Sequence, residues 1–253
     1  MADPAASRRA LRIGVVWTAL GGVLAAQADA GKASLDVLDA GGGTGGFAVP
    51  LAELGHRVTV VDPSPDSLAA LERRAAEAGV AERIHAVQGD LDTLGDVTAA
   101  AGFDLVLCHS VLEHVDDPAA AVRAVAAALR PGGTAIIVAA NRVAAVFSRA
   151  LAGHIDEATR ALSDLDGRYG EADALRRRLT TGELTTLVGE AGLRVEAVHG
   201  VRVFADLVPS ALLDGDSAAT EALVALEAAV AERPEFRDVA SALHVLASRP
   251  ASS

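Results

Sequence analysis

From Leu35 onward the chain alternates short apolar runs with longer stretches of helical period. LDVLD (35–39), RVTVVD (57–62), RIHAVQ (83–88), FDLVLCH (103–109) and TAIIVAA (134–140) are compact and bounded by Gly, Asp or Pro. This pattern predicts strands. Between them, 46–54, 66–78, 92–101 and 118–129 read as helices. Pro65 and Pro118 stand where a first helical turn tolerates proline, and Gly79 and Gly132 stand where a helix stops. Strands alternating with helices predict parallel βαβ units and a sheet covered on both faces.

After Asn141 the rhythm changes. Residues 142–182 are polar and arginine-rich, which predicts an insertion of helix and loop. Within it VFSRALAGHI (146–155) has apolar side chains at helical spacing and reads as a lid or a core helix. TGELTTLVGEAG (181–192) predicts a helix with Thr181 as its candidate cap. RVEAVHGVRVFADLV (194–208) predicts one strand or two short pieces, 216–232 a helix, and SALHVLASR (241–249) a final strand. Ahead of the core, 8–30 predict an amphipathic helix, with Trp17, Leu20 and Leu24 recurring at helical spacing. Its two arginines, apolar run and closing Ala-Asp-Ala also resemble a secretion signal, but Gly21-Gly22 breaks the apolar stretch. The run is too short to span a bilayer. The expectation is one cytoplasmic domain over 1–253, with an N-terminal helix (1–32), a cofactor-binding core (33–140), an insertion (141–182) and C-terminal strands and helices (183–253). Its fold class is α/β, a doubly wound, mostly parallel sheet of seven strands.

Composition narrows the function. At 253 residues and 51% hydrophobic, the chain is neither disordered nor short of a core. A single cysteine, Cys108, excludes an intramolecular disulfide and a cysteine-built zinc site. A net charge of −12 is unlike the basic footprint of a general nucleic-acid binder, though a local basic patch stays open. With aromatics at 3%, a base-stacking platform is not expected.

The chemistry concentrates at the strand ends. VLDAGGGTGG places Asp39 at the end of a strand, followed by Gly41, Gly43 and Gly45 before a helix. Glycines there let the backbone turn sharply and approach a ligand. Gly46 also fits a dinucleotide fingerprint, so the loop alone leaves dinucleotide and other adenosine cofactors open. Asp62, with Pro63 beside it, ends the second strand, where an acid accepts ribose hydroxyls. Asp90, followed by Leu91, ends the third, in reach of an adenine amine. His109 ends the fourth. Each has a plainer reading: Asp39 capping the loop, Asp90 capping the next helix, His109 hydrogen-bonded in the core. His109, Glu113 and His114 lack a further ligand cluster, so no metal is expected.

These motifs, with LRPGG (129–133) turning into the fifth strand, resemble the class I S-adenosylmethionine-dependent methyltransferases over about residues 33–140. The resemblance implies S-adenosyl-L-methionine as cofactor. Asp39, Gly41, Gly43 and Gly45 would cradle its methionine part, Asp62 with Pro63 its ribose, Asp90 and Leu91 its adenine, and His109 would line the pocket near the sulfonium. A narrower resemblance runs nearly the whole chain. LRIGVVW, AGGGTGG, VLEHVDDP, Asn141, AGHID, GVRVF and ALHVLASRP occur in the order of the bacterial tRNA 5-carboxymethoxyuridine methyltransferases. It implies that Arg12 contacts the cofactor carboxylate and that the acceptor is a carboxylate on tRNA. Where that family has a Tyr-Asn pair this chain has Ala140-Asn141. Its lysine-rich stretch is replaced here by LSDLDGRYGEADALRRRLT. A carboxylate acceptor is already ionised and needs no base, but it does need a cationic partner. Arg142 and Arg202 are therefore acceptor-site candidates, and the resemblance adds Asn141 and His109. The alternatives are a methyltransferase for a small carboxylate-bearing metabolite and a non-catalytic binder of the same cofactor.

Overall fold

The computed structural model describes residues 4–209, 212–213 and 217–251, and their side chains except at 4–10, 12 and 217. The chain runs through α1 (Pro4–Asp29), β1 (Asp36–Ala40), α2 (Ala48–Glu53), β2 (Arg57–Asp62), α3 (Pro65–Glu77) and β3 (Ile84–Gln88). It continues through α4 (Leu94–Val97), β4 (Phe103–His109), α5 (Pro118–Ala128), β5 (Leu129–Ala140), α6 (Arg142–Leu151) and α7 (Ile155–Ser163). It closes with α8 (Thr181–Glu190), β6 (Arg194–Val201), α9 (Ser217–Val230), α10 (Pro234–Arg237) and β7 (Ala242–Ser248). The strands form one seven-stranded sheet in the order β3-β2-β1-β4-β5-β7-β6. The first five are parallel neighbours. β7 runs against β5: the Gly132 N–H donates to the Arg249 carbonyl at 2.8 Å, and the Arg249 N–H to Gly133 at 2.9 Å. The doubly wound, mostly parallel α/β sheet expected from the sequence is the one observed.

Contacts within the chain divide it into two compact units. One comprises Leu24–Val138, Thr185–Glu196 and Leu246–Ser253; the other comprises Met1–Val23, Ala139–Leu184 and Ala197–Val245.

In the first unit, Val37, Leu38, Leu105, Val106 and Leu107 are fully buried, as central parallel strands must be when both faces are covered. α3 and α5 begin as the sequence predicts. The Ser64 hydroxyl accepts the Ser67 N–H at 3.2 Å ahead of Pro65, and the Asp117 carboxylate accepts the Ala120 N–H at 2.9 Å ahead of Pro118. The register carries the ends of β1 to β4 to one edge: Asp39 lies between Val60 and Leu107, Asp62 beside Gln88, and His109 beside Val138. Strand order reverses between β1 and β4, and ligands of open α/β sheets bind at such a point.

Two expectations shift here. The helix foreseen at 92–101 is the four-residue α4, because Asp90 and Thr93 bind one another at its start and Thr98 turns extended, at φ −132° and ψ 156°, at its end. LRPGG is not a turn ahead of β5 but part of it. Leu129 already pairs with Phe103, and 130–133 bulge before Thr134 pairs with Leu105. Gly132, at φ 78°, and Gly133 make the bulge; a Cβ on Gly133 would meet the Arg130 carbonyl at 2.9 Å. Arg130 anchors it by pairing with Asp36 and Asp104, each at 2.8 Å.

In the second unit, Val16 and Leu20 of α1 are buried, whereas Trp17 is only partly covered. None of the described helices is long and apolar enough to cross a membrane. α6 and α7 pack on each other. Phe147, Leu151 and Ile155 of the foreseen lid-or-core stretch are exposed, so here they are not core. β6 stops at Val201, short of the predicted 208. Arg202 takes a left-handed φ of 58°, and the buried Glu227 carboxylate then draws in the N–H groups of Val203, Phe204 and Ala205 at 2.8–2.9 Å. Those amides are thereby taken out of any strand ladder.

Candidate active site

The glycine loop leaves β1 after Ala40 and turns back over the strand ends. Its path is fixed by hydrogen bonds: the Gly41 N–H donates to Val61 at 2.7 Å and the Gly45 N–H to Gly42 at 3.0 Å. Gly41 and Gly45, at φ 77° and 79°, sit where an L side chain is strained and where no Cβ fits. One on Gly41 would meet Val111 Cγ2 at 2.3 Å; one on Gly45 would meet Leu71 Cδ1 at 2.3 Å. Gly43, at φ 54°, has only Asp62 Oδ2 nearby, at 3.9 Å. The loop is thus packed from below at Gly41 and Gly45 and more open at Gly43.

Asp39 lies buried beneath this loop, its Oδ2 without a hydrogen-bond partner. Burial, with the Asp62 charge adding to it, pushes its carboxyl up to about 7. Asp62 is buried and supports the loop: Oδ2 accepts the Gly43 N–H and Oδ1 accepts the Ser64 N–H, both at 2.9 Å. Pro63 is exposed, and its carbonyl accepts from Gln88 Nε2 at 3.3 Å. Asp90 is exposed, and its Oδ1 takes the Thr93 N–H at 2.9 Å and the Thr93 hydroxyl at 2.8 Å. These bonds hold its carboxyl below the usual range. They do not cap α4, whose N-cap is Thr93. Leu91 is buried beside it.

His109 ends β4 with both ring nitrogens buried and unpartnered. The hydrogen-bonded core histidine of the plainer reading is therefore not what forms. Burial pushes the imidazole down to about 4, so it is neutral at pH 7. The Phe47 ring meets it edge-on, with centroids 4.5 Å apart at 68°. The next residue, Ser110, takes a left-handed φ of 56°. Sequence reasoning missed Phe47 and Val111, which press on His109 and Gly41. The only signal for them was position, directly after GGTGG and directly after CHS.

The remaining candidates belong to the other unit. Arg12 lies in α1, and its side chain is outside the described residues. Asn141 is buried and saturated. Its amide donates to the carbonyls of Asp238 and Ala240 at 2.9 and 2.8 Å, and its Oδ1 accepts the Val143 N–H at 3.0 Å, capping α6. Arg142 pairs with Glu183 at 2.9 Å and donates to the Leu165 carbonyl, while its Nε is buried without a partner. Arg202 is half-buried and pairs with Asp206 at 2.9 Å.

Residues 38–137 match the family model described as a methyltransferase domain. Over 245 residues the chain is 30% identical to the tRNA 5-carboxymethoxyuridine methyltransferase of Escherichia coli (strain K12), spanning 96% of this chain and 89% of that one. The chain belongs to the class I S-adenosylmethionine-dependent methyltransferases. A ubiquinone biosynthesis O-methyltransferase of Xanthomonas axonopodis pv. citri (strain 306) is 34% identical over 167 residues, 65% of each chain. Among solved structures, a methyltransferase from Methanosarcina mazei superposes with a TM-score of 0.60 at 15% identity, covering 87% of this chain and 95% of that one.

The methyltransferase site fits its cofactor by its own chemistry. S-adenosylmethionine, when bound, supplies the electrophilic methyl group. The cofactor carries an ammonium and a sulfonium, and the end of β1 carries a buried acid whose Oδ2 has no partner, Asp39, beneath a loop open at Gly43. It offers no buried cation there to repel them among the groups that act on Asp39. His109, neutral at pH 7, adds no positive charge of its own to the end of β4. Phe47 packs edge-on against His109 at the end of β4, and Leu91 is buried after the end of β3.

Proposed function

We propose that this methyltransferase transfers the methyl group to a carboxylate oxygen, and that the acceptor is 5-carboxymethoxyuridine in tRNA. The observation that carries this function is the extent of the likeness. The Escherichia coli relative matches 96% of the chain, including the insertion and the C-terminal strands, whereas the ubiquinone-pathway relative from Xanthomonas matches 65%. Insertions and C-terminal elements vary with acceptor, while the core serves the shared cofactor. On this proposal 1–253 act as one cytoplasmic catalytic domain, and Arg12, Asp39, Gly41, Gly43, Gly45, Asp62, Pro63, Asp90, Leu91 and His109 hold the cofactor.

The site's acid–base chemistry supports a carboxylate. A phenol gives up its proton near pKa ~10 and needs a base to become a nucleophile. His109, pushed down to about 4, is a poor base for that task. A carboxylic acid with pKa near ~4 arrives ionised at pH 7. Its nearest match in the chain is an arginine, Arg142 or Arg202.

A second reading, a small carboxylate-bearing metabolite, is favoured by how the insertion spends its cations. Arg149 pairs with Glu157 at 3.2 Å and stacks on Tyr169 at 3.8 Å; Arg178 pairs with the buried Asp173. Arginines so engaged are poor phosphate ligands, and phosphate contacts dominate RNA affinity. The test measures release of S-adenosylhomocysteine with tRNA carrying 5-carboxymethoxyuridine, with unmodified tRNA and with small carboxylates. Release driven by the modified tRNA alone, weakening as salt rises, supports the first acceptor. Release driven by a small carboxylate and indifferent to tRNA establishes the second.

A further inference from the structure

The buried carboxyl of Asp39 presents a problem that the cofactor's chemistry resolves. It sits at the point where strand order reverses, between Val60 of β2 and Leu107 of β4. It is 2% exposed, and its Oδ2 finds no donor. The Gly42 backbone closes over it so tightly that a Cβ there would lie 2.6 Å from that oxygen. Among the described residues the titratable groups coupled to it are acids: Asp62 at the end of β2, and the Cys108 thiol on β4, which itself faces Glu113. A lone carboxylate in such surroundings would carry an uncompensated buried charge, whose cost runs to several kcal/mol. Proteins avoid that cost by leaving the proton on.

We propose that Asp39 carries a proton in the cofactor-free enzyme and releases it when the cationic cofactor binds, so that cofactor binding and deprotonation of Asp39 are one coupled step. The O–H bond of the carboxylic acid breaks, the proton leaves to solvent, and the carboxylate that remains is neutralised by the cofactor's positive charge. Net charge balances: one cation enters and one proton departs. Asp62 is not in this position, because both its oxygens already accept backbone N–H groups. The raised proton affinity of Asp39, about 7, puts the change inside the neutral range. This rests on the assignment of the glycine loop as the cofactor cradle.

The experiment is calorimetric titration of the full chain with S-adenosylmethionine, in buffers of small and large ionisation enthalpy, at pH 6, 7 and 8.5. The observed enthalpy is expected to change linearly with the buffer's ionisation enthalpy. The slope should correspond to release of about half a proton at pH 7, nearer one at pH 6 and close to none at pH 8.5. Affinity should fall about tenfold per pH unit on the acid side. Asp39→Asn should abolish the proton release and leave only the buffer dependence of the cofactor's own ionisation, which is thereby subtracted. Should that variant fail to fold, infrared difference spectra of the wild-type chain replace it, and loss of a protonated-carboxyl band on cofactor addition is expected. Binding with no buffer dependence, release that persists in Asp39→Asn, or an unchanged carboxyl band overturns the proposal. Absence of binding at every pH instead overturns the cradle assignment on which it rests.

Discussion

The Gly43 amide donates to Asp62 Oδ2 at 2.9 Å, tying the open point of the glycine loop to the acid that ends the next strand. The acid's other oxygen accepts the Ser64 N–H, so one carboxylate organises both the loop and the start of α3. Replacing Asp62 with Ala removes two charge-assisted bonds, each worth about 1.5–3 kcal/mol. Affinity for S-adenosylmethionine, measured by calorimetry, should fall at least ~10-fold, and Asp62→Asn should recover only part of it. An unchanged affinity would mean that the loop keeps its shape without the acid.

Gly41 and Val111 are in direct opposition, since a Cβ on Gly41 would lie 2.3 Å from Val111 Cγ2 at a φ of 77°. Gly41→Ala should therefore destabilise by about 1–3 kcal/mol, or roughly 2–4 °C in Tm per kcal/mol. Adding Val111→Ala should relieve the clash but not the backbone strain, so the double variant recovers in part. Full recovery would show that φ at this position costs little.

His109 carries a pH dependence of known sign. Its folded pKa is lowered to about 4 against 6.5, so the unfolded chain binds more protons between those values. Stability should accordingly decline as pH falls from about 6.5 to about 4, and be indifferent to this group above 6.5. His109→Gln keeps a polar side chain without titrating and should flatten that decline in thermal melts. A slope identical to wild type would assign the acid sensitivity to other groups.

Asn141 makes three side-chain hydrogen bonds within its own unit. Asn141→Ala should cost about 2–4 kcal/mol from the lost cap and the stranded carbonyls of Asp238 and Ala240. The loss should register as a lower Tm. If acceptor KM instead rises while Tm holds, the residue recognises acceptor rather than holding structure.

Arg202 gives the complementary case. Its pair with Asp206 is half-exposed, and such pairs contribute about 0–1 kcal/mol. Arg202→Ala should leave Tm nearly unchanged, and so should Asp206→Ala. If Arg202 holds the acceptor carboxylate, only Arg202→Ala should raise acceptor KM. Equal and small effects from both variants would confine Arg202 to the ion pair.

The linear pattern determined the parallel order of strands and helices, and the acidic residue at each of the first strand ends. Continuous apolar runs, Pro at helix starts and Gly-rich turns are local signals, and local signals survive in sequence. So Asp39, Asp62 and His109 were legible at the ends of their strands, whereas Asp90 lies in the loop past β3, which stops at Gln88. Tertiary structure alone decided their states. Asp39 is orphaned and Asp62 saturated although both are aspartates at matching ends, because only the loop's return path aims the Gly43 and Ser64 amides at one of them. It also made Asn141 the cap of α6, and curtailed β6 through a carboxylate, Glu227, far along the chain. Hydrogen-bond satisfaction of a buried group depends on which backbone amides folding brings to it, and spacing along the sequence does not encode that.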